Sequence, residues 1–551
     1  MDIQTELKKV FQGELETSDK TLDFYSHDAS IFELRPKVVG FPKDSSDIQA
    51  TINFVNQHKQ DFPDLSITPR SRGTDMSGGA IGQSIILDVS KHMTEISELT
   101  PESVRVKPGR LYREFDKETL THGSILPSYP ASRELASVGG MVNNNSGGEM
   151  SLRYGKTDRY VTELKVVLSD GNEYTVRPLS KSELDAKMAQ ADFEGNIYKK
   201  TYELLDANYD AIQAARPNVS KDSTGYHLWN VWNRETGVFD LTKLFVGAQG
   251  TLGIVTDIKF DLIKKPKFSG TLVCYMRNMD NLGDVIPAVL KHDPLTFESF
   301  DDKTLWLSFK FIFAFIPRIG LLEWIKMCLR LIPDGIALLK GIPKLILLVE
   351  FSGDTQAEVT QKVKAAKQDF KRFKNFTFME VADTEAKAKK FWLMRRESFN
   401  LLRSKVKDKH TAPYIDDFVV PPSKLAEFLP KLNAVIRKYK LMATVAGHLG
   451  DGNFHVIPLM KIEKESERAK LQPSMKEVYD LVLSYGGSIS GEHNDGMVRG
   501  PWLVDMYGEQ VLGYMKSVKA LYDPQNIFNP HKKVDANWDF SFAHIRQNFN
   551  Q

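Results

Sequence analysis

The chain has 551 residues, of which 73 are basic and 71 acidic, giving a formal net charge of +2, with 42% apolar and 26% charged residues. This is long enough for three or four units of the usual ~150 residues, or fewer if one is a large sheet domain. The charge balance leaves no global field to attract nucleic acid, and the composition excludes wholesale disorder and a polytopic membrane protein. Two cysteines, Cys274 and Cys328, are too few for a disulfide framework, a four-cysteine zinc site or an iron–sulfur cluster. Redox chemistry would have to come from a bound group, in a compartment expected to be reducing.

In chain order, MDIQTELKKVFQGELE mixes acids with bases and lacks the apolar core of about 7 to 15 residues that a secretory signal needs. It reads as an N-terminal helix within 1–24, and the expected location is the cytoplasm. From 25 to 265, β-rich runs alternate with helical ones. DIQATINFVNQHKQ predicts a helix, and SIILDVS, SVRVKPG, ELKVVLSDGNEYTV and FVGAQGTLGIVTDIKFDLI predict strands. KKPKF then punctuates the chain before a new strand, GTLVCYM. A second unit is expected over 266–510, with an apolar insertion at 305–349, followed by a helix and turn in 511–551. The fold class expected is α+β.

Glycines cluster three times in the first unit. TPRSRGTDMSGGAIG (68–82) runs from a strand into Gly73, Gly78 and Gly79 with Thr74 and Ser77 beside them, so backbone N–H groups can curl around an anion. There is no GxxxxGK[ST], and no GxGxxG follows a strand, because Gly450-Asp451-Gly452 has His455 where a third glycine belongs. PASRELASVGGMVNNNSGGEMSLRYG (130–155) and VGAQGTLGIVT (246–256) supply the other two clusters. Three such loops suggest an extended ligand threaded between them.

With these motifs in this order, the chain resembles the vanillyl-alcohol-oxidase-type (PCMH-type) FAD-binding superfamily. Within it, the likeness over 25–535 is to the group of FAD-linked D-lactate, glycolate and D-2-hydroxyglutarate dehydrogenases. The resemblance implies a two-subdomain FAD-binding domain over 25–265, an α+β substrate (cap) domain with an antiparallel sheet, and a C-terminal segment returning to the FAD domain. Arg72, Gly73, Thr74, Asp75, Met76 and Ser77 would hold the pyrophosphate. Pro130, Ser137, Val138, Gly139, Gly140, Asn143, Gly147 and Tyr154 would line the second side. Gly250, Gly253, Ile254 and Val255 would meet the adenine and ribose, and Asn529 would close over the flavin. The chain departs from the pattern at Ala248-Gln249, where Ser-Glu is common, and at His531, where glycine is common. Relatives that tether FAD use a His or Cys in these loops, and 68–82 and 130–155 contain neither, so non-covalent FAD is expected.

The segment LMATVAGHLGDGNFHVIPLM reads as two strands joined by Gly450-Asp451-Gly452-Asn453. If Leu449 pairs with Phe454, His448 and His455 stand directly opposed on one face, at chelating distance. Glu492 in GGSISGEHNDG could complete two histidines and one carboxylate with an open position, the arrangement of catalytic zinc or manganese. Spacing alone leaves a structural histidine pair as an alternative. The resemblance favours the metal, because GHLGDGNFH and SGEHN match the family's GHxGDGNxH and SGEHG with Asn494 in place of a glycine. Carried over, His448, His455 and Glu492 bind a divalent metal and His493 is the base. WLMRRES aligns Arg395 with the family's substrate-carboxylate clamp through Trp392, leaving Arg396 to solvent. Some relatives have a lysine where PYIDDFVVP has Ile415, beside Asp416 and Asp417. The missing lysine argues against a second substrate carboxylate and favours D-lactate or a similar short monocarboxylate over D-2-hydroxyglutarate; a D-2-hydroxyglutarate or glycolate dehydrogenase is the alternative.

The insertion at 305–349 carries Lys310, Arg318, Lys326, Arg330, Lys340 and Lys344 against Glu323 and Asp334, a local net of +4, interleaved with large apolar residues. Three prolines and short charge-free runs keep it from spanning a bilayer. It is expected to lie on an anionic lipid surface at the inner face of the cell membrane, handing electrons to a lipid-soluble quinone. The alternative is that these residues form core or an oligomer contact. Two rival functions follow from the same motifs, a metallohydrolase that ignores the glycine loops and a non-catalytic membrane scaffold.

Overall fold

The computed structural model describes residues 2–279, 281–302, 341–382 and 408–547, together with 305, 320–322, 324, 325, 387, 388, 390–392 and 395. Most of the insertion at 305–349, and Arg396, lie outside the described residues. The chain is α+β, and three larger sheets frame it.

The first sheet sets Glu14–Glu16, Val38–Phe41, Ile85–Asp88 and Ile67–Arg70 side by side in that order, the last three parallel. Parallel strands need apolar residues on both faces, and Val38, Val39, Ile85, Ile86 and Leu87 are fully buried. The helix Ser45–His58 makes the crossover. Its first turn is capped by the Asp44 carboxylate, and Ile48, Ile52 and Val55 face the sheet. Within 1–24 the chain is helical over Ile3–Leu7 and again from the start of the helix Asp19–Tyr25, and between them Glu14–Glu16 pairs with Val39, Gly40 and Phe41 as an edge strand. Gly13 makes the switch, since a Cβ there would collide with the Phe41 carbonyl oxygen.

The second sheet is antiparallel, in the order Ile96–Ser97, Ser103–Val106, Ile254–Asp261, Val161–Val167 and Glu173–Val176. The run 245–263 is not one long strand. It turns on positive φ at Gly247, Gln249 and Gly250 before extending at Ile254, because left-handed residues cannot continue a ladder.

The third sheet is antiparallel and eight-stranded. Its path runs Phe376–Ala382, Phe268–Met276, Leu345–Gly353, Thr296–Asp301, Met442–His448, Asn453–Met460 and His410–Thr411, with Phe418–Val419 also paired to Asn453–Met460. Leu272, Cys274 and Met276 turn alternate side chains to one face, where they share a core with Val359, Val363 and Phe370 of the helix Gln356–Phe370. Phe297 and Phe454 belong to that core, so their neighbours Glu298 and His455 point from the other face. The chain then leaves this domain. In the helix Leu503–Tyr522, the side chains of Leu503, Tyr507, Val511, Met515, Val518 and Tyr522 sit in the core beneath the second sheet.

Candidate active site

The loop after Ile67–Arg70 leaves the carboxyl end of a parallel strand, the usual place for a ligand in such sheets. The Asp75 carboxylate accepts from Ser77 N at 3.1 Å, Ser77 Oγ at 2.9 Å and Gly79 N at 2.5 Å, which folds the loop on itself. Among the described residues, the N–H groups of Gly73, Thr74 and Met76 have no hydrogen-bond partner. Ser137 caps the helix Val138–Asn144 and donates its hydroxyl to Ser71 Oγ at 2.6 Å, and a Cβ at Gly140 would stand 3.2 Å from that same oxygen. The Asn143 side chain spans from Gly139 O to Gly250 N, binding the second loop to the third. Free N–H donors and a floor of small residues suit a pyrophosphate.

Other expected cofactor residues take different places. Ile254 and Val255 bury their side chains in two cores and keep only backbone for a ligand. Pro130 packs beside Gly148, Gly147 next to Ser151, and Gly253 against Val166. Tyr154 lies half-buried against the core under the second sheet. Arg72 is exposed. The Asn529 side chain donates to Gly79 O and Gln249 O, each at 2.8 Å, and accepts from Thr68 Oγ1 at 3.1 Å, so it clamps the first and third loops together.

The three departures from the family pattern each have a local reason. Gln249 (φ 51°) donates to Ser77 Oγ at 2.9 Å and accepts from Gly496 N at 2.8 Å. Asn494 (φ 64°) holds the left-handed conformation a glycine would supply, as asparagine can, and reaches Gly247 O at 2.8 Å. His531 (φ 64°) stacks on Phe540 at 3.8 Å between ring centroids.

At the hairpin, His448 pairs with Asn453 and His455 with Ala446, so the two histidines are diagonal neighbours rather than directly opposed as expected. The reason is the turn. Leu449–Asp451 forms a 3₁₀ turn closed by Gly452 at φ 70°, where a Cβ would collide with the Val420 carbonyl oxygen, and this moves the pairing by two residues. Both rings still share a face, with centroids 5.5 Å apart. Glu492 lies between them, Oε1 3.3 Å from His448 Nε2 and Oε2 4.0 Å from His455 Nε2. The far nitrogens are held by buried carboxylates, His448 Nδ1 by Glu298 at 2.6 Å and His455 Nδ1 by Asp416 at 3.2 Å. Two imidazoles oriented by carboxylates and aimed at a third make a donor set that fits a divalent metal. Ligand atoms of Asp417, His455, Glu492 and His493 also lie within 4.8 Å of one another. Asp417 is already engaged, however, by Glu492 N, His493 N, Ser490 Oγ and Asn453 Nδ2. His455 and Glu492 are thus common to both sets, with His448 or His493 placed to be the third donor.

The site is dense in charge. Glu298 also pairs with the Arg395 guanidinium, tying the expected carboxylate clamp to His448. From the FAD side, Lys221 reaches Glu492 at 2.5 Å, Asp451 at 3.2 Å and Gly148 O at 3.1 Å. Lys156 gives its protons to Asp222 O, Gly491 O and Ser223 Oγ. Burial opposes protonation of His448, but Glu298 and then Glu492 outweigh it and raise it to about 9. Burial likewise opposes His493, and Asp417 and Asp416 lift it to about 9. Burial pushes Glu492 up, but Lys221 and His448 hold it well below the usual carboxylate range.

Sequence reasoning missed Glu298, Lys156, Lys221, Asp416 and Asp417 as parts of this cluster. It also placed the metal loop and the glycine loops in separate units, whereas they touch. The Asn494 side chain and Gly496 N both bond to the third glycine loop, and Met497 N donates to Ser77 O of the first. Charged residues ending or following short apolar runs, as in TFES and YIDD, were the available signal.

Residues 36–177 match the model of an FAD binding domain, and 265–533 match that of the C-terminal domain of FAD linked oxidases. The chain is 29% identical over 530 residues to a D-2-hydroxyglutarate dehydrogenase of Pseudomonas putida, covering 95% of this chain and 50% of that protein. It therefore spans about half the length of the first curated relatives it matches. It is 24% identical to a D-lactate dehydrogenase of Anaerostipes hadrus, covering 95% of each. Among solved structures, the 4-ethylphenol oxidase of Gulosibacter chungangensis shares the fold at a TM-score of 0.67 and 15% identity, over 97% of this chain and 96% of that one. With both domain models matched in order along most of its length, the chain belongs to the FAD-linked oxidases.

Proposed function

We propose that the chain is a dehydrogenase that binds FAD without a covalent link and oxidises a D-2-hydroxy acid, D-lactate first, to the 2-oxo acid. The observation that carries this reading is the direct packing of the Glu492-His493 loop on the first and third glycine loops, through Asn494, Gly496 and Met497. Substrate held by the first would lie beside a cofactor held by the second. When bound, FAD would supply the acceptor for the C2 hydride, and a zinc or manganese ion would supply a Lewis acid for the substrate hydroxyl.

The protein's own residues supply the rest. In its neutral form His493 takes the hydroxyl proton at Nε2, because Nδ1 donates to Asp416 at 2.7 Å, and with the ring raised to about 9 that form grows as pH rises. His448, His455 and Glu492 would hold the ion, and Arg395, kept in place by Glu298, would take one carboxylate oxygen pair. Lys156 and Lys221 have their protons placed on protein acceptors. Ile415 is buried in the core of the third sheet. No cation is thereby offered at these positions to a second carboxylate, which supports a short monocarboxylate over D-2-hydroxyglutarate.

The electron acceptor we propose is a membrane quinone, reached by peripheral attachment of 305–349 to anionic lipid. Of that segment, Leu321, Leu322, Ile325 and Ile342 are exposed, and no described helix is long and apolar enough to cross a membrane. The substrate reading is tested by comparing kcat/KM for D-lactate, L-lactate, glycolate and D-2-hydroxyglutarate with a soluble quinone as acceptor. D-Lactate should lead. A clear preference for D-2-hydroxyglutarate would overturn the argument from Ile415.

A further inference from the structure

Two consecutive carboxylates, Asp416 and Asp417, enter the site from a strand end and divide its work. Asp417 sits at φ 70°, which lets neighbouring side chains face the same way. Its oxygens accept from the backbone N–H of Glu492 (2.9 Å) and of His493 (2.6 Å), fixing the loop that carries ligand and base. Asp416 is fully buried and addresses the rings instead. Its Oδ2 accepts from His493 Nδ1 at 2.7 Å and its Oδ1 from His455 Nδ1 at 3.2 Å, and the two rings stack with centroids 5.0 Å apart and planes 27° from parallel. Arg499 anchors the residue by donating to the Asp416 backbone oxygen at 2.8 Å.

An ionised carboxylate only accepts, so a ring nitrogen bonded to it must carry a proton, and in the neutral ring the other nitrogen is then left bare. Applied twice at one residue, this sets both rings in the same tautomer, with both Nε2 atoms open. We propose that Asp416 is the positioning residue of the site, a single carboxylate that fixes the tautomer and plane of a metal ligand, His455, and of the base, His493, together. The proposal rests on the assignment of those two roles above. The proton acceptor and the substrate-polarising ion are thereby locked into one geometry, and neither ring can turn without breaking a bond to the same side chain.

The test uses the FAD-loaded full chain and the variants Asp416→Asn and Asp416→Glu. Asparagine keeps the size but offers one oxygen and one amide, so one of the two rings must take its proton at Nε2. Four quantities are read, namely FAD content, affinity for Zn²⁺ by chelator competition, the visible spectrum of the Co²⁺-loaded protein, and single-turnover flavin reduction at saturating metal. Asp416→Asn should keep its FAD, lose about 10- to 100-fold in metal affinity with an altered Co²⁺ spectrum, and lose ~10² or more in the rate of flavin reduction. Asp416→Glu should recover part of both losses. An Asp416→Asn protein with wild-type metal affinity, Co²⁺ spectrum and reduction rate would overturn the proposal. So would loss of FAD in both variants, which would make Asp416 a residue of the fold. Wild-type protein that reduces its flavin without metal would instead overturn the metal assignment itself.

Discussion

His448 and His493 are both raised to about 9 from 6.5, so each contributes stability that is present in full below about 6.5 and lost as pH rises through about 9. Metal-free protein should accordingly lose thermal stability between those values. Metal binding needs neutral imidazoles, so Zn²⁺ should raise Tm more at pH 8 than at pH 6. Scanning calorimetry with and without Zn²⁺ checks both signs. His493→Asn should slow flavin reduction by ~10² or more in stopped-flow while leaving FAD bound. Of the residues in this cluster, those inside a glycine-rich motif were legible from sequence, namely His448, His455, Glu492 and His493. Asp416 and Asp417 stand in the sequence only as the neighbours of Ile415, because nothing in a string of letters says which rings a carboxylate will meet. Glu298 was hidden for the same reason, as an acid within a β-strand.

The hairpin shows what an element adds to its residues. A strand–turn–strand was legible from GHLGDGNFH, but the register was not, because a 3₁₀ turn and a four-residue loop imply pairings two residues apart. The left-handed Gly452 fixes the choice. Gly452→Ala should therefore cost stability by more than the ~1 kcal/mol typical of a simple glycine effect, since it adds a collision with Val420 O to an unfavourable φ. Urea unfolding checks the stability, and chelator competition should show weaker metal binding as the histidines lose their common face. In the third glycine loop, the expected long strand gave way to turns for a related reason, three left-handed residues in a row of apolar ones.

Across the whole molecule, the site is assembled from segments hundreds of residues apart, and this was the least legible part of the sequence. The domain order followed from motifs, but the contact between the metal loop and the glycine loops did not, because it depends on Lys156, Lys221, Asn494 and Lys533 reaching across from one unit to the other. Lys533 Nζ, for example, bonds Asn494 Oδ1 at 2.6 Å and Asp495 Oδ2 at 2.7 Å. Lys221→Met leaves Glu492 and Asp451 buried without their cation, which should destabilise the protein by roughly 3–5 kcal/mol as a broken buried pair does. Denaturant titration checks it, and the deficit should shrink when Zn²⁺ neutralises Glu492. Deleting 311–340 should abolish co-sedimentation with anionic vesicles at low salt while preserving flavin reduction by substrate. Equal pelleting of intact and deleted proteins would remove the membrane reading.

The central claim is that one site joins FAD, a divalent metal and a D-2-hydroxy acid. Anaerobic titration of the yellow holoprotein with D-lactate and with L-lactate, before and after removal of metal, tests it most directly. The visible absorbance of the oxidised flavin should bleach with D-lactate only, fail to bleach once metal is removed, and bleach again when Zn²⁺ or Mn²⁺ is restored. A flavin that stays oxidised with every 2-hydroxy acid, or that bleaches equally in verified metal-free protein, would contradict the account.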